Sequence, residues 1–221
     1  MKILALDTAT EACSAAITVD SEIIQKYTVA PRRHAELIIK MIDELLAEAG
    51  IVLTDLDALA FGRGPGAFTG IRIAAGVAQG LAYGADLPVI PVSTLAALAQ
   101  GAEKNTGYIL SAIDARMNEI YWAVFEPDAD DLVSAVTEEQ VTKADEIQIS
   151  ERGTFLGIGT GWASYHEQLT MKLGKQLLSI NAEAYPQSRD ILPLAIRELQ
   201  RGNSVQAEDA LPVYLRNKVT G

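Results

Sequence analysis

An α/β fold in two similar lobes is what the sequence predicts, on three observations. Apolar runs of strand length alternate with apolar stripes at helical spacing, in the order three strands, helix, strand, helix, strand, helix. The second half starts again in the same manner, because Tyr108 to Asp114 repeats the pattern of Ile3 to Asp7, an apolar strand ending on aspartate. Between the halves lies a polar stretch with two glycines, Gly101 to Gly107. The expected lobes are therefore residues 1–103 and 104–221, with the closing helix or tail able to return to the first lobe. A chain of 221 residues that is 49% hydrophobic has the apolar surface to fill both cores.

Each element follows from its local pattern. Lys2 to Leu6, Cys13 to Val19 and Ile23 to Val29 are apolar runs separated by short turns, as in an antiparallel meander. Leu37, Ile38, Met41, Ile42, Leu45, Leu46 and Ala49 form one helical stripe that stops at Gly50, which predicts a helix over 33–49. Asp57 to Phe61 is a fourth strand, Leu87 to Val92 a fifth, and Ser93 or Thr94 caps a helix from Leu95 to Gln100. Such an order is that of a ribonuclease-H-like lobe. In the second half Glu119 to Phe125 follows the restarted strand, a third strand falls within Leu132 to Val141, and Thr154 to Ile158 is a fourth. Trp162 to Leu169 and Asp190 to Arg201 are helical. If the lobes correspond, Asp7 and Asp114 end equivalent strands at the mouth of one cleft.

Residues 61 to 84 are the unusual stretch. Gly62, Gly64, Pro65 and Gly66 break regular structure, and a helix follows over 70–84 with Thr69 as its expected N-cap. Gly76, Gly80 and Gly84 recur at every fourth position, and each interior glycine costs a helix about 1 kcal/mol relative to alanine. A close approach by another backbone is the compensation, either from the chain's own fold or from another subunit. Arg72 and Gln79 interrupt the apolar run, so the stripe is not a membrane-spanning helix.

Charge and residue inventory narrow the chemistry. There are 18 basic and 29 acidic residues, a net charge of −11, which argues against the chain wrapping nucleic acid by itself. The single Cys13 rules out an internal disulfide, and the N-terminus enters a strand pattern with no leader-like region, so the cytoplasm is the expected compartment. Gly62 to Ala67 satisfies G-x-G-x-x-A, but it follows the fourth strand, carries Pro65, and has no acidic residue after the next strand; no Walker loop and no G-x-S-x-G occurs. Its backbone N–H groups offer either an anion seat or a tight turn. His34 and His166 lack companions at metal-ligand spacing, which leaves a metallopeptidase without ligands. Asp7 and Asp114 are the candidates for a Mg²⁺-nucleotide, with Thr8, Gly64 and Gly66 beside them, or else they cap turns. Gly157 to Gly161 either lines an adenosine pocket or makes a strand-to-helix turn.

Asp7-Thr8-Ala9-Thr10, Gly64-Pro65-Gly66-Ala67-Phe68-Thr69-Gly70-Ile71-Arg72 and Asp114-Ala115-Arg116 closely resemble the TsaB (YeaZ) family, and the resemblance covers most of the chain. It implies two lobes of the actin-like ATPase (ASKHA) fold and a part in making threonylcarbamoyladenosine in transfer RNA. Family members are non-catalytic paralogues of TsaD, the subunit that transfers the threonylcarbamoyl group to adenosine of tRNAs reading codons that begin with adenine. Where TsaD has a His-x-x-x-His metal pair, this chain has Thr94 and Leu98, and Asp7 to Thr10 lacks the phosphate-loop glycine of actin-like ATPases. The resemblance thus implies no catalytic residue, no metal and no resident cofactor, with ATP or ADP only at complex interfaces. The implied partners are TsaD, TsaE and, without TsaD, a second copy, with tRNA met only through the complex and no membrane. The seam with TsaD is expected to hold, or lie beside, His34, Leu37, Met41, Leu45, Arg72, Gly76 and Gly80. An actin-like phosphotransferase or ATPase using Asp7 and Asp114 is the alternative.

Overall fold

The computed structural model describes residues 1–103 and 107–216, so part of the expected lobe boundary and the last five residues lie outside the described residues. Strands β1 (Ile3–Asp7), β2 (Ala12–Val19) and β3 (Glu22–Val29) form the antiparallel meander, followed by α1 (His34–Ala49). Next come β4 (Ala58–Gly62), α2 (Phe68–Ala85), β5 (Val89–Val92) and α3 (Thr94–Gln100). The sheet order is β3-β2-β1-β4-β5, with β4 and β5 joining in parallel through crossover helices. In β1, Leu4 and Leu6 face a core shared with α1 and α2, whereas Ile3 and Ala5 face the core that holds α3.

The second lobe repeats this plan. Strands β6 (Tyr108–Asp114) and β7 (Glu119–Pro127) pair antiparallel, and the short β8 (Val133–Ala135) and β9 (Gln140–Lys143) both pair with β7. Parallel strands β10 (Phe155–Ile158) and β11 (Leu177–Asn181) then complete the order β11-β10-β6-β7-β8. Three features differ from expectation. The single third strand is two short ones, and β11 is an addition; its residues are half-buried or exposed and so lack a continuous apolar signal. The helix expected at Trp162 to Leu169 is two, α4 (Thr160–Ser164) and α5 (His166–Leu173).

The closing helix α6 (Ser188–Gln200) lies against β1, β2, β4 and β5 of the first sheet, where Ile191, Leu192, Leu194 and Ala195 join the core containing Ile3, Ala5 and Leu98. Ser188 locks its start by hydrogen bonds to the Ser14 hydroxyl (2.8 Å) and carbonyl (2.8 Å). The chain after α6 runs back along α2. Val205 bridges to Val89 at the sheet edge, Ala207 and Ala210 enter the α1–α2 core, and the Gln79 amide donates to the Ala210 carbonyl at 3.3 Å.

The start of α2 corrects one expectation. Ala67, not Thr69, occupies the N-cap, because the helix begins two residues earlier, at Phe68. The Ala67 N–H donates instead to the Ala9 carbonyl at 2.7 Å, so the β1–β2 turn and the glycine loop interlock. A Cβ at Gly66 would fall on the Ala9 carbonyl and one at Gly70 on the Thr8 carbonyl. Gly70→Ala is therefore expected to destabilise the chain by about 2 kcal/mol through overpacking against backbone, visible as a lower denaturant midpoint.

Candidate functional site

Two surfaces are candidates: the cleft between the lobes and the outer face of α2. The cleft contains a cavity of about 290 Å³ framed by the β1–β2 turn, the glycine loop, the β6–β7 turn and the C-terminal residues Val213 to Arg216. Of the expected nucleotide ligands, Gly66 and Asp114 line this cavity. Asp7, Thr8 and Gly64 do not, which corrects the expectation that both aspartates stand at one mouth. Asp7 and Thr8 are buried, because the turn uses their side chains internally: Asp7 Oδ1 accepts the Ala9 N–H at 3.0 Å and the Thr8 hydroxyl donates to the Gly70 carbonyl at 2.7 Å. Gly64 adopts φ +103° and donates its N–H to the Thr94 hydroxyl at 3.1 Å.

Asp114 is already saturated. Its carboxylate accepts the Arg116 N–H (2.8 Å) and guanidinium (2.8 Å), and at 3.4 Å each the hydroxyls of Ser164 and Tyr165. Arg116, Met117 and Asn118 are all left-handed, with φ of 61°, 57° and 62°, which turns the Arg116 side chain back onto Asp114. Its other nitrogen reaches Glu11 of the first lobe at 2.8 Å. The cation best placed to meet a phosphate is thus held by two carboxylates, and Glu183 adds a third acid to the neighbouring depression. On the far side Arg63 pairs with Glu139 at 3.1 Å, and Ser93 hydrogen-bonds the same carboxylate while its hydroxyl caps α3 by accepting the Ala96 N–H at 3.0 Å. These ties clamp the lobes together.

Burial pushes the Asp7 carboxyl up to about 7 against a single favourable bond from the Ala9 N–H, and its Oδ2 has no hydrogen-bond partner. Burial, with Asp7 nearby, pushes the Cys13 thiol up to about 11. Gly157, Gly159 and Gly161 are a strand-to-helix turn: a Cβ at Gly157 would fall on Trp162 and one at Gly159 or Gly161 on Ala112. The Trp162 indole donates to the Leu110 carbonyl at 3.1 Å, so these glycines seat a core tryptophan. Among the described residues no cluster of three or more His, Cys, Asp or Glu side chains is arranged to hold a metal.

The outer face of α2 is the opposite case. A Cβ added at Gly76, Gly80 or Gly84 would meet nothing within 4 Å, so the glycine row is open to solvent. Leu37 is half-buried and Arg72 exposed nearby. His34, Met41 and Leu45 point into the lobe instead: the His34 ring sits 3.1 Å from the Ala12 carbonyl, and Met41 and Leu45 belong to the α1–α2 core. They lie beneath the expected seam, since the apolar stripe of α1 is the side that covers the sheet.

At the start of α2 the guanidinium of Arg72 lies 3.2 Å from the Phe68 ring centroid and 4.9 Å from that of Tyr214. Val213 donates its N–H to the Arg63 carbonyl at 2.8 Å, and Arg216 pairs with Glu119. A tail able to return to the first lobe is expected from the sequence, but the sequence carries no signal for these particular contacts, which join residues far apart in the chain. Among the described residues no helix is long and apolar enough to cross a membrane.

Two repeated lobes with a clamped cleft define a two-lobed protein of the actin-like fold. The model of the family described as "TsaD: tRNA N6-adenosine threonylcarbamoyltransferase" matches residues 14–220. The chain is 43% identical to "tRNA threonylcarbamoyladenosine biosynthesis protein TsaB" of Escherichia coli over 99% of this chain and 96% of the relative. The protein of the same name from Haemophilus influenzae is also 43% identical, over 100% and 95%. The solved structure "YeaZ from Pseudomonas aeruginosa" superposes with a TM-score of 0.91 at 42% identity, covering 97% of this chain and 99% of that one. The chain belongs to the TsaB (YeaZ) family.

Proposed function

We propose that this chain is the non-catalytic partner subunit that binds and activates TsaD, together with TsaE, in transferring the threonylcarbamoyl group to adenosine of tRNAs reading codons that begin with adenine. The observation that carries the proposal is the open row Gly76, Gly80 and Gly84, a face on which a foreign helix can approach to backbone distance. The names of the relatives support the pathway. The cleft supports assembly over chemistry: Arg116 is taken by Glu11 and Asp114, and Asp7 is out of reach of a bound molecule. In the absence of TsaD the same face serves a homodimer, and a net charge of −11 leaves tRNA to the partner. The setting is the cytoplasm.

Reconstitution tests this. Purified TsaD, TsaE, tRNA and the threonylcarbamoyl donor are expected to yield modified tRNA only when this chain is added; equal yield without it would refute the role. The same preparation incubated alone with Mg²⁺ and ATP is expected to show no turnover.

A further inference from the structure

We propose that the C-terminal strap makes Arg72 a receptor for a carboxylate of the partner subunit, placed at the end of the glycine row. The inference rests on the docking role above and names what the docking helix must carry. Phe68, Arg72, Gly76, Gly80 and Gly84 follow one another at every fourth position and so form one ridge that winds slowly around α2, each residue beside the next. Three of them are bare. The first two are filled from outside the helix, by Tyr214, whose ring centroid is 6.1 Å from that of Phe68.

Arg72 is distinguished by its setting against two aromatic rings. Seven arginines, among them Arg63, Arg116 and Arg216, pair with a carboxylate, while Arg32, Arg72 and Arg152 have no carboxylate partner among the described residues. The one hydrogen bond of the Arg72 side chain among the described residues is from Nη1 to the Phe68 carbonyl at 3.4 Å. The two rings fix its plane, and a planar guanidinium held in place is suited to a bidentate carboxylate. Gln79 to Ala210, Val213 to Arg63 and Arg216 to Glu119 anchor the strap on both sides of Tyr214. A helix seated over Gly76 and Gly80 reaches Arg72 one turn later, beside the partly exposed rings of Phe68 and Tyr214. The partner face is therefore small or apolar over the glycines, with an aspartate or glutamate at its end.

The test measures the affinity of TsaD for this chain at several salt concentrations, without tRNA or nucleotide, so that a protein carboxylate is the anion probed. Arg72→Gln is expected to weaken binding about tenfold to a hundredfold and to flatten its salt dependence. Arg72→Lys should keep the salt dependence and recover part of the affinity. Tyr214→Ala should weaken binding and speed hydrogen exchange at the Val213 amide, which reports whether the strap stays seated. Native affinity and native salt dependence in Arg72→Gln would overturn the assignment. Gly76→Leu separates the two levels: if it abolishes binding while Arg72→Gln does not, only the carboxylate receptor fails, whereas native-like binding by Gly76→Leu removes the docking role and this inference with it.

Discussion

Replacing Gly76 or Gly80 with leucine is expected to abolish TsaD binding while leaving the isolated chain slightly more stable than the native one. The two effects have opposite signs because they arise in different states. In the free chain the added side chain meets nothing within 4 Å, so no clash opposes the gain in helix propensity, about 0.5–1 kcal/mol for replacing an interior glycine. In the proposed complex the same atoms would occupy the space through which the partner backbone approaches. Overpacking of this kind costs about 1–3 kcal/mol or more, and on a rigid helix face with no room to relax the expected loss in affinity is on the order of a hundredfold or greater. Thermal melting and a pull-down on the same sample check both halves. A variant that melts higher and still binds would show that the row serves no foreign helix. Gly70 marks the contrast within the same helix: there the missing side chain makes room for the Thr8 carbonyl, and filling it harms the fold itself.

That contrast also shows how far the sequence can be read. Strand order, the restart at Tyr108 and the amphipathic face of α1 were legible, because burial on one side imposes a period that survives in one dimension. A glycine in or before α2 marks a place where a backbone can come close, but the sequence does not say which backbone, or whether it is the chain's own. At Gly66 and Gly70 it is the chain's own β1–β2 turn; at Gly76 and Gly80 no atom of the described residues comes near. The cleft was less legible. Asp7 and Asp114 end equivalent strands, yet one is sealed under a turn and the other saturated by Arg116, differences set by neighbours remote in sequence, such as Glu11. The same holds for Tyr214, which meets Phe68 and Arg72 only because the segment after α6 runs back along α2.

Asp7 should make the chain lose stability as pH rises through the range where most carboxylates are already ionised. Burial raises its folded-state pKa from 3.8 to about 7, while the unfolded chain keeps the ordinary value. Between these limits the folded state binds the extra proton, so stability is fully present below about pH 4 and falls progressively until the pH passes about 7. At 1.36 kcal/mol per pKa unit the loss amounts to at most about 4 kcal/mol for this one group. Oδ2 has no hydrogen-bond partner to offset the ionised form, and a single N–H from Ala9 opposes the shift. Asp7→Asn keeps an acceptor for that N–H and removes the titration, so the difference in unfolding free energy between variant and native should move in the variant's favour by several kcal/mol from pH 4 to pH 8. Denaturant unfolding across that range isolates the effect, since every other titrating group is common to both chains. A difference that stays flat would mean that the Asp7 carboxylate is as well solvated in the fold as in water, and its place under the β1–β2 turn would have to be redrawn.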